Sequence, residues 1–474
     1  MIENGEKRVS YVCSNCSYTA PKWLGRCPEC GEWNTLEEKS ETVANDHNHR
    51  LFASSPDTVF THITDVKTVD SERIPTKYKE FDRIMGGGVV KGSYNLISGH
   101  PGIGKSTLML QLALEFSKTK RVLYLSAEES VSQVKIRFER LSGGDECGTL
   151  FLSNESNLDK LRAKLDEEHF DILFCDSIQS VYSPEVLGIP GSVSQIKECA
   201  VRLLETSKRC NITVFVVGHV TKTGAVAGPM LLEHMVDSVL LFEGDPSLGY
   251  RILRCSKNRF GATDEVGIFT MTSNGLVEVE NPSEFFLTDD NENGTISGSA
   301  RALVLEGTRP FLIEVQSLVT SSNLPQPRRV ATGFDIGRLA MLCAILEKRC
   351  DIYCSSFDIF VNIVGGLRVK STSVDLPLVA SLLSSILGLP LPPAWAFIGE
   401  IGLGGEIRDV PGMDILIKEG VRLGLSRIFI PQTRSTSKYS DRFGDAEIVK
   451  IKTIDELREQ IAETNIFETN ARKH

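Results

Sequence analysis

The stretch Gly99-His-Pro-Gly-Ile-Gly-Lys-Ser-Thr107 has the residue types and spacing of a phosphate cradle, G-x-x-x-x-G-K-[ST]. Gly99, Gly102 and Gly104 free the backbone to turn N–H groups toward an anion at a helix N-terminus, and His100, Pro101 and Ile103 complete the wrap. Lys105 is spaced to reach the β- and γ-phosphates of ATP, and Ser106, followed by Thr107, to ligate Mg²⁺. The flanks agree: SYNLISG before the cradle reads as a strand and LMLQLALEFSK after it as a helix. A second strand, RVLYLSAEES, ends in Glu128-Glu129, and Glu128 is the candidate base that would orient and deprotonate an attacking water. FDILFCDSIQ closes on Asp176, the expected holder of the Mg²⁺ shell. ITVFVVGHV ends at His219, either a γ-phosphate sensor or a structural histidine.

A different chemistry stands at the N-terminus. Cys13-x-x-Cys16 and Cys27-x-x-Cys30 are separated by ten residues. Each pair makes a knuckle aiming two sulfurs at one point, and two knuckles give the tetrahedral S₄ set that zinc prefers. So short a segment cannot bury a core of its own, so the metal supplies its folding energy. Trp23 and Trp33 are expected to pack under the knuckles, with a base-stacking role as the alternative. The other eight cysteines are scattered through apolar segments, as small buried hydrophobes would be.

These groups need scaffolds, and 474 residues suffice for two or three domains. The fold class expected is α/β: a zinc ribbon over residues 1–38, a polar linker over 39–60, a P-loop ATPase core over 61–280, a boundary at 281–297 and an α+β domain over 298–474. His47 and His49 lie in the first linker, where a solvated role outweighs a metal. Hydrophobic content of 41% with 24% charged residues is ordinary for a globular chain. There is no apolar run of membrane-spanning length, and MIENGEKRVSYVCSNC lacks the apolar region of a secretory signal, so the cytoplasm is expected. A net charge of −10 means that any nucleic-acid binding must use a local surface.

Downstream, CSKNRFG (255–261) sets Lys257 and Arg259 two residues apart before Phe260-Gly261, which reads as a cationic tight turn. From the residues alone a solvated, salt-bridged turn is the plainer reading. The order of P-loop, glutamate and Walker B strand resembles the RecA/DnaB class of ATPases. Together with the cysteine ribbon, FDRIMGGGVVKGSYNLISG, YLSAEES, GHVTKTGAVAGPMLLEHMVD and KNRFG, it is closer still to the bacterial RadA (Sms) family of DNA-repair proteins. His100 departs from the acidic residue usual there. The resemblance implies a homo-hexameric ring with ATP at the subunit seams, in which Lys257 and Arg259 reach across the seam or couple it to DNA. It also implies single-stranded and branched DNA as substrate and a RecA-type recombinase as partner. Two loops would line the ring channel, 183–195 and 221–229, with Lys222 as the candidate phosphate contact.

Beyond the boundary the chain resembles the proteolytic domain of the Lon family. Leu378 stands where that family's serine belongs, and Asp414 where its lysine belongs, so neither half of the dyad can perform the chemistry. The domain is therefore expected to be a scaffold, with Arg328-Arg329 either a DNA contact or a solvated surface pair.

Overall fold

The computed structural model describes residues 8–16, 18–41, 62, 72–144, 148–219, 232–244, 249–263, 265–288 and 296–471. Lys222, the 221–229 loop, Cys147, His47, His49 and most of the first linker lie outside them. The packing divides into two units, one drawn from residues before 279 and the other mainly from Val279–His474.

In the ribbon, Arg8–Cys13 pairs antiparallel with both Thr19–Ala20 and Leu36–Glu41. Its small interior is Cys13, Ala20, Cys27 and Leu36, as expected of a fold organised by its sulfurs rather than by apolar bulk.

The larger part of the first unit is a nine-stranded sheet. In chain order its strands are β1 (Tyr94–Gly99), β2 (Val122–Ser126), β3 (Leu150–Ser153), β4 (Ile172–Asp176), β5 (Thr213–His219), β6 (Ser238–Glu243), β7 (Tyr250–Asn258), β8 (Val266–Thr272) and β9 (Gly275–Glu278). Across the sheet they run β9-β8-β7-β6-β1-β5-β4-β2-β3. The strands from β6 to β3 pair in parallel, and β7 turns back antiparallel on β6. Helices α1 (Lys105–Ser117), α2 (Val131–Ser142), α3 (Leu158–Glu167) and α4 (Val193–Cys210) accompany the parallel strands. Strands β1, β2 and β4 are buried along their whole length, the continuous apolar signature of a parallel sheet covered on both faces. Two apolar clusters form: Phe116, Tyr124, Phe174 and Phe215 belong to one, and Leu125, Leu173, Ile196 and Val214 to the other.

The second unit holds an eight-stranded sheet. Its strands are β10 (Ser299–Glu306), β11 (Arg309–Ser321), β12 (Arg329–Thr332), β13 (Phe357–Ile363), β14 (Trp395–Phe397), β15 (Arg427–Pro431), β16 (Arg442–Phe443) and β17 (Ala446–Ile451), ordered β12-β13-β11-β10-β14-β15-β17-β16. Helices α5 (Ile336–Cys350), α6 (Asp375–Leu387), α7 (Met413–Arg422) and α8 (Ile454–Ala471) complete it. Part of the expected 281–297 linker is packed: Phe286 is fully buried against Phe311 and Tyr250, because three aromatic rings here outweigh the Asn/Asp/Ser composition that suggested a loop. Seven of the scattered cysteines are described; six are buried and Cys210 is half-buried.

Asp375 opens α6 completely buried, paired with Arg338 of α5 and accepting from Ile401 N at 3.1 Å. Arg338→Met would leave that carboxylate in the core without its counter-charge, and a loss of about 3–5 kcal/mol is expected in urea unfolding of this unit. A loss under about 1 kcal/mol would mean the pair does not hold α5 to α6.

Candidate active site

β1 delivers the chain to the cradle and α1 leaves it. Gly104 is the residue before α1 and has φ 118°, a region costly for any side chain; a Cβ there would also lie 2.8 Å from Met271 Cε. Gly99 abuts Phe242 of β6, whose carbonyl oxygen would be 2.5 Å from an added Cβ. Gly99 and Gly104 are thus demanded by close approach as well as by backbone conformation. His100 is exposed, so its departure from the usual acidic residue falls on the solvent side of the loop.

Lys105 is 3% exposed, and its Nζ donates to the carbonyls of Gly99 at 2.8 Å and His100 at 2.9 Å. Burial pulls its pKa down to about 8, against the opposing pull of Asp176 and Glu128. A lysine with a lowered pKa is charged below that value and loses its charge as pH rises through it. The kcat/KM for ATP is therefore expected to fall above about pH 8, while Lys105→Arg, charged throughout, shows a weaker but flat profile. A limb that persists in the arginine variant would assign it to another group.

Asp176 ends β4, directly across from Ser126 at the end of β2. Burial raises its pKa, opposed by hydrogen bonds from Ser106 and from Tyr124, whose Oη donates at 2.8 Å. Lys105 and Ser106, neighbours in sequence, therefore meet the distant Asp176 at one end of three neighbouring parallel strands. A serine hydroxyl beside a carboxylate at the phosphate end of the cradle is the donor pair a Mg²⁺ shell uses.

The structure separates the two glutamates after β2. Glu128 Oε1 accepts from Ser177 Oγ at 2.5 Å and Ser180 Oγ at 2.8 Å, in the turn after Asp176. Glu129 instead bonds Arg137 of α2 at 2.6 Å. Tyr124, Ser177 and Ser180 are site residues the sequence reading passed over. The signal available was the hydroxyl pair following Asp176 and a tyrosine in an otherwise aliphatic strand. His219 ends β5 in register with Gly99, so its backbone reaches the cradle's edge.

The 183–195 segment is a loop only as far as Ser192, since Val193 begins α4. Buried Gln195 holds it from below, donating to the carbonyls of Ser183 at 3.0 Å and Val186 at 2.7 Å.

Lys257 and Arg259 are not both on a turn. β7 runs through Asn258, so Lys257 lies in the strand and the bend starts at Arg259, because the antiparallel pairing with β6 continues to Ser238↔Asn258. Lys257 Nζ donates to Glu233 O at 2.5 Å, and its pKa is lowered by burial and by nearby Arg259. Arg259 pairs with buried Asp237 at 3.3 Å while its side chain stays 55% exposed. Lys257 aligns with Val239, whereas the P-loop end of the sheet aligns with Phe242 and Leu253. Three residues of β6, roughly 10 Å, separate the two levels. The cations stand at the opposite end of the sheet from their own cradle.

The candidate DNA pair in the second unit divides. Arg328 is exposed, but Arg329 donates to the carbonyls of Cys354, at 2.5 Å, and Phe357, which gives it a structural task. Leu378 is fully buried in α6, and Asp414 accepts from Tyr439 Oη at 2.7 Å and Lys438 Nζ at 3.0 Å.

In the ribbon, the Sγ atoms of Cys13, Cys16, Cys27 and Cys30 all lie within 4.8 Å of one another, with Cys13–Cys30 at 3.7 Å and Cys16–Cys27 at 3.4 Å. A tetrahedron with Zn–S of about 2.3 Å has S–S edges of roughly 3.8 Å, so the four sulfurs fit the ion.

A phosphate cradle at the end of a mostly parallel sheet, with the acids of adjacent strands beside it, defines a P-loop ATPase, here with a four-cysteine metal ribbon. Comparison with known proteins agrees: residues 61–225 match the AAA domain and residues 11–38 the rubredoxin metal binding domain. The chain is 44% identical over 427 residues to DNA repair protein RadA of Bacillus subtilis (strain 168), covering 90% of this chain and 92% of that one. It is 42% identical over 457 residues to DNA repair protein RadA of Listeria monocytogenes, covering 96% and 98%. The chain belongs to the RadA family of DNA repair proteins. Among solved structures, a KaiC-like protein of Pyrococcus horikoshii OT3 aligns at 17% identity and TM-score 0.36 over 44% of this chain and 99% of that one, too slight a likeness to argue from.

Proposed function

We propose that this protein is a DNA-repair ATPase whose hydrolysis is coupled to single-stranded DNA, and that it works as a homo-hexameric motor extending or migrating branched recombination intermediates alongside a RecA-type recombinase. The observation that carries the motor reading is the position of Lys257 and Arg259. They lie a sheet's length from their own cradle, yet Arg259 is anchored by Asp237 with its guanidinium still more than half exposed. A cation held out in this way serves a neighbour's nucleotide, a DNA phosphate, or both in turn.

Within one site, Gly99 to Thr107 bind the phosphates, Lys105 neutralises the β- and γ-oxygens, and Ser106 with Asp176 would hold Mg²⁺. That ion, when bound, offsets charge on the transferring phosphoryl group. Tyr124 fixes one oxygen of Asp176, and Ser177 and Ser180 fix Glu128, which takes the proton of the attacking water. Zinc on the four cysteines is structural. Buried Leu378 and ion-paired Asp414 support a second unit that is a platform without peptidase chemistry. Among the described residues no helix is long and apolar enough to cross a membrane, which accords with a cytoplasmic setting.

The test is ATP hydrolysis with and without single-stranded DNA at low salt, where phosphate contacts are strongest. Stimulation by DNA supports the reading. A rate indifferent to DNA would replace it with an ATP-hydrolysing scaffold or signalling protein.

A further inference from the structure

We infer that the zinc ribbon presents a base-stacking platform for single-stranded nucleic acid, formed by Trp23 and Trp33 around Gly25. The packing expected beneath the knuckles does not occur: Trp23 is 53% and Trp33 67% exposed, because the interior is already filled by Cys13, Ala20, Cys27 and Leu36. The rings converge, since a Cβ on Gly25 would lie 3.7 Å from the Trp23 ring and 3.9 Å from the Trp33 ring. Glycine leaves that space open, so the two indoles make one surface.

Both rings are held in place. Trp23 Nε1 donates to the Leu36 carbonyl at 3.1 Å, which turns its polar edge inward. Trp33 sits in a backbone bridge with Arg26, whose guanidinium is 5.8 Å from the indole centroid and is itself tied through Nε to the Gly31 carbonyl at 2.8 Å. The metal fixes both knuckles, so little ordering remains to oppose binding.

The chemistry favours bases over a protein. An ordinary protein interface takes about 800 Å² from each partner, with an apolar centre. Among the described ribbon residues, Leu24 is the one other exposed large hydrophobic side chain. Two indoles beside a guanidinium suit what a base offers, a π-face and an adjacent phosphate. A chain with net charge −10 also gains little from bulk attraction to a polyanion, so stacking must contribute to affinity. The inference rests on the DNA reading above, and the experiment separates the two.

The chain has three tryptophans, and the third, Trp395, is buried in the second unit, so changes in emission on DNA binding are weighted to the ribbon. A dT oligonucleotide is titrated into the full-length, zinc-bound protein, with tryptophan emission and the anisotropy of labelled oligonucleotide followed together. Quenching that tracks anisotropy is expected. Trp33→Leu, apolar but without a π-face, should bind about tenfold more weakly, and Trp33→Phe should restore most of the affinity at equal zinc content. DNA binding with unchanged emission, or equal affinity for the leucine and phenylalanine variants, overturns the platform and leaves the DNA reading standing. Absence of any anisotropy change sinks both.

Discussion

Glu128→Gln is expected to lower kcat for ATP hydrolysis by about 10²–10⁴-fold with ATP affinity almost unchanged. Glutamine keeps the shape of the side chain and can still accept from Ser177 and Ser180, so the turn after Asp176 stays in place. What it cannot do is take a proton from water. The control is Glu129→Gln, the next residue and also a glutamate, but bonded to Arg137 on α2. Its effect should be within a few-fold. Steady-state rates with labelled-ATP binding distinguish the two variants, and a collapse of kcat in Glu129→Gln alone would move the base by one residue.

Arg259→Ala carries the second large effect. If its guanidinium meets a neighbour's phosphates, DNA-stimulated kcat should fall by about 10³–10⁵-fold, and Lys257→Ala should act in the same direction. ATP binding should survive in both, since the own cradle lies roughly 10 Å of strand away. Subunit mixing is the decisive measurement. Arg259→Ala lacks the cation and Lys105→Ala lacks the cradle, so an assembly of both contains some seams with an intact half from each. Recovery of hydrolysis on mixing two inactive variants supports action across a seam. If the mixture stays inactive while each variant still assembles, the cations act on DNA or only within their own subunit.

Much of the site could be read because its chemistry is local in sequence. The cradle needs nine consecutive residues, and its glycines are required by backbone conformation whatever surrounds them. The cysteine knuckles are equally local, and a tetrahedral metal needs only that two of them meet. Asp176 was legible because a fully buried strand ending in an acid is unusual without a function for that acid.

Other features depend on partners distant in the chain. Glu128 and Glu129 are equivalent as letters; the partners contributed by the turn at 177–180 and by α2 tell them apart. Arg329 is half of an adjacent cationic pair in sequence, but its guanidinium bonds two carbonyls of the 354–357 segment. Phe286 sat in a stretch whose composition said linker, yet two aromatic neighbours bury it.

By itself the sequence determined which atoms can bind phosphate and metal, because those demands are met within one turn or one knuckle. It also determined the alternation of buried strand and helix, since a parallel sheet covered on both faces needs apolar strands throughout. The tertiary structure alone decided where KNRFG points. Arg73 donates to the Phe260 carbonyl at 2.5 Å and to the Met85 carbonyl at 3.0 Å, and Gly86 is so close that an added Cβ would lie 3.3 Å from Gly261 Cα. That contact joins segments more than 170 residues apart and fixes the bend at the end of the sheet away from Gly99. No local spacing encodes it, because it comes from the antiparallel return of β7 along β6.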